Sequence, residues 1–184
     1  MSIDQAGVLT MGVDDAGYDV KLFGETAAAY MLYDASADKL IVRGPVGTGA
    51  AGAGVLRLET AEATVVDADQ LGRIDFSAPL ETGADALLVG ASIYAEADAT
   101  FSATVNSTDL VFATGDSAAA SEKFRIDSTG VCTFADGAID VDIVSHDGTN
   151  GLKLGGTLVT ATAADLNGSA TLGKSAALAI VFAS

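Results

Sequence analysis

Turn-forming residues break this 184-residue chain about every ten positions, so whatever it folds into must be built from short pieces. Glycines, Asp-Gly, Asn-Gly and Ser-Thr clusters punctuate it from end to end, and apolar residues rarely recur at the three-and-four spacing of a helix face. Where the pattern is regular, apolar and polar residues alternate, the period of a strand with one covered side. The fold class expected is therefore all-β, with short, mostly antiparallel strands.

The first strands read as Val20-Lys21-Leu22-Phe23, Tyr30-Met31-Leu32-Tyr33 and Lys39-Leu40-Ile41-Val42, the second ending at Asp34-Ala35-Ser36. Residues 44–54 are glycine and alanine with little else, too small in side chain to make a core. Beyond them Val55-Leu56-Arg57-Leu58-Glu59 alternates, as does the stretch 71–79, closed by Pro79. Residues 86–96, 101–105 and 109–114 follow as a meander, with Asn106-Ser107-Thr108 as the turn between the last two. Residues 122–127 alternate cleanly, and Ser128-Thr129-Gly130 turns them into Val131-Cys132-Thr133-Phe134. The tail offers strands at 139–144 and 152–154 around a turn at 147–151, a helical turn at 162–167, and a last apolar strand at 176–183. An Asp-containing turn before a Leu- and Lys-bearing strand recurs near residues 20, 40 and 153, at irregular spacing that a solenoid would not show. The modules expected are 1–45, a linker at 46–54, a meander at 55–135 and a C-terminal β segment at 136–184.

Charge and composition narrow the function. Acidic residues outnumber basic ones 25 to 9, giving a net charge of −16 that repels phosphate backbones and anionic lipid, so nucleic-acid partners are not expected. No stretch approaches the length of a membrane span, and residues 1–5 lack the basic start and apolar run of a signal peptide, so a soluble protein made in the cytoplasm is expected. The chain has 21 glycines, no tryptophan and seven phenylalanines. So few bulky residues bury little apolar surface per residue, and packing identical copies together is the natural remedy.

Candidate chemistry is thin. Gly47-Thr48-Gly49-Ala50-Ala51-Gly52 fits a dinucleotide fingerprint in letters, but a strand-like segment follows it where the fingerprint needs a helix. Asp14, Asp15 and Asp19, and Asp136, Asp140, Asp142 and Asp147 near His146, are oxygen-rich without calcium-loop spacing and read as turn caps. Cys132, the lone cysteine, reads as a small half-buried strand residue, not as the nucleophile of a Cys-His pair with His146. Asn106-Ser107-Thr108 has glycosylation letters but reads as a turn. No catalytic residue, cofactor ligand or metal ligand is assigned, and no enzymatic activity is expected.

Three stretches carry a resemblance. Residues 12–24, continuing through Tyr30-Met31-Leu32-Tyr33-Asp34 to Asp38-Lys39-Leu40, resemble a module of tailed-phage fibre and other structural proteins, especially of marine phages. Residues 71–79, 90–93 and 110–115, ending in Glu122-Lys123-Phe124-Arg125-Ile126-Asp127-Ser128-Thr129-Gly130, are similar to the repeating part of phage tail fibres. Residues 156–167 resemble a linker of the same proteins. The resemblance implies a virion structural protein, a homotrimeric fibre, spike or head decoration of β-sandwich or β-prism character. It acts by assembly with itself and with other virion proteins of tail, collar or capsid, and its N-terminal module is the expected docking end. The alternative is a receptor-binding adhesin whose loops, such as 81–85 or 117–121, contact a host surface glycan. The chain is short and lacks a recognisable receptor-binding tip or ion-binding histidine repeats.

Overall fold

The computed structural model describes residues 2–3, 7, 9–78, 80–135, 140–147, 149–161 and 163–165. It is nearly all β, with its described strands paired antiparallel wherever a register is defined. Two compact units divide the chain, Met1–Thr133 and Phe134–Ser184.

The first unit begins with a small pair, β1 (Ser2–Ile3) and β2 (Leu9–Thr10), followed by a three-stranded sheet of β3 (Val20–Phe23), β4 (Tyr30–Asp34) and β5 (Lys39–Arg43). These last three fall where the apolar runs bounded by turn residues place them. Their register sets Leu22, Met31 and Val42 in one row, and Val20, Tyr33 and Leu40 in the next row of the same side. The β4–β5 turn is made by Asp34, whose Oδ1 accepts hydrogen bonds from the backbone N–H of Ser36 (3.1 Å) and Ala37 (3.2 Å) and from the Ser36 hydroxyl (2.7 Å). A short acceptor side chain bonding the amides two and three residues on is what makes aspartate a turn former. Those bonds hold the Asp34 carboxyl below its ordinary range, the Ser36 hydroxyl contributing most.

The glycine- and alanine-rich stretch makes one 3-10 turn, Gly49–Gly52, with Thr48 before it offering no side-chain cap. Residues 53–59 then run on without joining a ladder. The strand expected at 55–59 is thus corrected: alternation reports that one side is covered, and here Leu58 lies against Gly72 of the next strand instead of pairing with a neighbour. A Cβ on Gly72 would meet the Leu58 Cβ at 2.6 Å, so only glycine admits that approach.

A five-stranded sheet completes the unit, in the order β10-β9-β8-β7-β6, from β6 (Gln70–Phe76), β7 (Ala91–Ala97), β8 (Thr108–Thr114), β9 (Ser121–Ile126) and β10 (Cys132–Phe134). Strand β7 starts five residues later than expected, because residues 84–87 form a turn, with Leu88 N–H bonding Asp85 O at 3.1 Å. The strand expected at 101–105 reduces to one isolated bridge, Ser102 to Val105, inside the β7–β8 connection. Between β9 and β10 the expected turn forms. Asp127 Oδ1 accepts from Thr129 N–H (2.8 Å), the Thr129 hydroxyl (2.8 Å) and Val131 N–H (2.9 Å), and Gly130 takes the left-handed φ of 88° that closes a three-residue loop.

In the second unit β11 (Lys153–Leu154) pairs with β12 (Thr157–Leu158), and residues 163–165 are helical. Residues 140–144 form no strand, against expectation; residues 176–183 lie outside the described residues. Asp147 caps its turn as expected, accepting from Thr149 N–H and Asn150 N–H, each at 2.8 Å.

Candidate functional site

The register of the five-stranded sheet sorts its side chains onto two unlike faces. On one, Ile74, Ile93, Phe112 and Phe124 form a cross-strand row, flanked by the row Gly72, Ala95, Leu110, Ile126 and by Phe76, Ala91 and Thr114. Phe112 and Phe124 pack with centroids 5.6 Å apart. On the other, Arg73, Tyr94, Val111 and Arg125 form one row, and Asp75, Ser92, Ala113 and Glu122 the next.

Burial does not follow polarity: Ala97 is buried on the apolar side, but so are four residues of the charged one. Val111, Ala113, Ser92 and Asp109, all on the charged side, are buried, whereas Ile74, Phe76 and Leu110 on the apolar side are 44 %, 54 % and 41 % exposed. The register sets small side chains between long amphipathic ones, whose stems cover apolar neighbours while their heads meet one another. Among the described residues, the buried hydrophobic ones are Ala97, Val111 and Ala113 only.

Arg125 gathers the heads. Its guanidinium grips Glu122 with two parallel bonds (Nε to Oε1 2.7 Å, Nη2 to Oε2 2.6 Å), donates through Nη1 to Asp109 on β8, and lies 3.5 Å from Glu96 on β7. Asp109 also accepts from Ser128 N–H at 3.1 Å. The cluster ties β7, β8 and β9 across a face that a hydrophobic layer would otherwise cover. Glu122 raises the Arg125 pKa first and Asp109 adds to it, outweighing the opposing effect of burial; reciprocally, the Arg125 bond lowers the Glu122 carboxyl. Burial, then the charges of Glu96 and Glu122, push the Tyr94 phenol up. An arginine so engaged is a structural clamp.

The residues singled out from the sequence are not assembled into chemistry. The glycine pattern at 47–52 holds a four-residue 3-10 turn and opens no helix. Asp14 and Asp15 border an open hollow with Tyr33 and Asp38, while Asp19 Oδ1 is used by Ala35 N–H at 3.0 Å. Among the described residues no three His, Cys, Asp or Glu side chains could jointly hold a metal ion; Asp136 lies outside them. His146 organises its own turn: Nε2 is 3.0 Å from Ala161 O, and Nδ1 accepts from Leu152 N–H at 3.3 Å. Cys132 is exposed on the short strand β10, not half-buried, since that strand stands at the sheet edge. Thr108 of the glycosylation letters bonds Asn106 O at 2.9 Å, a turn contact.

What sequence reasoning missed is the Arg125 cluster and a burial that does not follow polarity. Asp109 and Arg125 are sixteen residues apart, and nothing joins them until the register is known. No protein-family model, curated protein or solved structure matches this chain.

Proposed function

We propose that this chain is a structural component of a tailed-phage particle, a fibre, spike or decoration protein that acts by assembling with copies of itself into a homotrimer and with other virion proteins. The observation that carries the reading is the set of large apolar side chains that the described residues leave exposed on one side of each sheet. In the three-stranded sheet no residue of β3, β4 or β5 is buried, and Leu22, Met31, Tyr33, Leu40 and Val42 all stand exposed on one side. Three strands need an apolar face packed on something to be stable. A chain whose described sheets leave these apolar side chains exposed suits an assembly in which neighbours cover them, and its −16 charge keeps the remaining surface solvated. The resemblance of residues 12–40 and 71–130 to fibre modules names the kind of assembly.

The test is the native mass of the purified chain by light scattering, with immunogold labelling of phage particles by an antibody to it. A mass of about three times 18.3 kDa and label on the particle support the reading. A monomer at micromolar concentration overturns it. A monomer that binds host-surface glycan favours the adhesin.

A further inference from the structure

We infer that the apolar face of the five-stranded sheet, centred on the row Ile74, Ile93, Phe112, Phe124, is the surface through which copies of this chain pack on one another. This rests on the proposed self-assembly and assigns it a place.

Area comes first. With the partly covered Ile93, Phe112 and Phe124, the exposed parts of Ile74, Phe76 and Leu110 amount to roughly 400 Å² of apolar surface, the size of the largest patch on a typical monomer. That is about half of the ~800 Å² each partner contributes to a stable interface, and the rim supplies the rest. The patch is continuous, because each side chain adjoins the next through the ladder.

Charge selects the occupant. No ionisable residue of strands β6 to β8 points to this side; their carboxylates and Arg73 lie on the opposite one, where Arg125 meets Asp109, Glu122 and Glu96. On a chain of net charge −16, two copies approach with least repulsion where neither presents a carboxylate. A glycan or polar peptide would require an array of directed donors and acceptors, and the rows offer only the Thr108, Thr114 and Ser121 hydroxyls, with the Lys123 ammonium 3.0 Å from Ser121 at the β9 end.

Relief favours a matching sheet. A hollow of about 230 Å³ beside Leu56, Leu58, Gly72 and Leu110, and another of about 420 Å³ beside Phe76, Leu88 and Ala91, flank the projecting Ile74 and Phe76. Every copy carries both the projections and the hollows, so the same face of three copies can turn toward a shared axis.

The test is sedimentation velocity of the full chain over a micromolar concentration series, for wild type, Ile74→Lys, Leu110→Lys and the milder Phe76→Ser, with Val13→Lys as an exposed apolar control outside this sheet. Amide exchange in β7 and β8 reports whether each variant keeps the sheet. The expected result is a wild-type oligomer that the lysine variants weaken at least about tenfold, the effect of setting an unpaired charge in an interface, with Phe76→Ser intermediate and Val13→Lys unchanged. An oligomer that all variants leave intact overturns the assignment of this face while self-assembly stands. A wild-type monomer overturns both.

Discussion

Replacing Arg125 by methionine removes the one cation that the buried Asp109 faces, and the structure sets the size of the loss. The Asp109 side chain is 3 % exposed and would keep only the Ser128 N–H as a partner; Glu96 and Glu122 are 20 % and 26 % exposed and can turn toward water. Breaking a buried pair from one side costs about 3–5 kcal/mol, because the remaining charge is stranded. Since two of the three carboxylates can rehydrate, the lower end applies, about 3 kcal/mol. For a cooperative unit the size of Met1–Thr133 that lowers the thermal midpoint by roughly 10 °C. Thermal and urea unfolding followed by far-ultraviolet circular dichroism reads both quantities. Two comparisons sharpen the result. Arg73→Met, which breaks the more exposed pair with Asp75, should cost no more than about 1 kcal/mol. Asp109→Leu added to Arg125→Met should recover part of the loss, since the stranded charge is gone. An Arg125→Met protein within about 1 kcal/mol of wild type would refute the reasoning.

Acid should weaken the same cluster: Glu122 is held below its ordinary 4.5 by Arg125, so its contribution is complete above that value and fades as pH falls through the lowered one. Unfolding midpoints between neutrality and pH about 3 should fall more steeply below the unfolded value in wild type than in Arg125→Met; parallel curves would count against the link. Ser92 carries a buried hydroxyl with no hydrogen-bond partner, so Ser92→Ala should leave urea stability unchanged or raise it by up to about 1 kcal/mol, and a drop of that size would reveal a missed partner. Ala68 sits at φ 68°, a left-handed conformation that glycine adopts freely; Ala68→Gly should stabilise by about 0.5 kcal/mol in the same assay, against the usual loss from added chain freedom.

The parts of the fold legible in the sequence are those determined locally. Asp34, Asp127 and Asp147 each place a carboxylate where it can bond amides two to four residues on, and each turn stands where its letters put it. Strands β3, β4, β5 and β8 are short apolar runs between turn residues, β9 alternates, and each has a neighbour close in sequence to pair with. Residues 55–59 and 101–105 alternate as well, yet alternation does not specify a ladder, and nothing in Val55-Leu56-Arg57-Leu58-Glu59 says that Leu58 will rest on Gly72. The faces of the larger sheet were harder still. A one-residue irregularity between Phe112 and Ala113 shifts the pairing, and it decides that Glu122 joins Asp75 and Ser92 in one row while Arg125 joins Val111 in the next. Composition pointed to a scarce core, but the side of the sheet left bare follows only from register.

That bare side has a thermodynamic meaning. A sheet standing alone can cover one face with its own loops and long side chains, and this one covers the face where an ion cluster already engages the polar groups. Burying such a face gains little from the hydrophobic effect, because its buried apolar side chains are valine and alanine while its charges must be desolvated. The larger hydrophobic gain lies in Ile74, Phe76 and Leu110, which stay 44 %, 54 % and 41 % exposed even with Leu58 resting beside them on Gly72. Under the proposed self-assembly, folding and association are linked by mass action, and stability rises with the number of copies present. For a part of a multi-copy particle that linkage is useful: the protomer is firmest where its neighbours are.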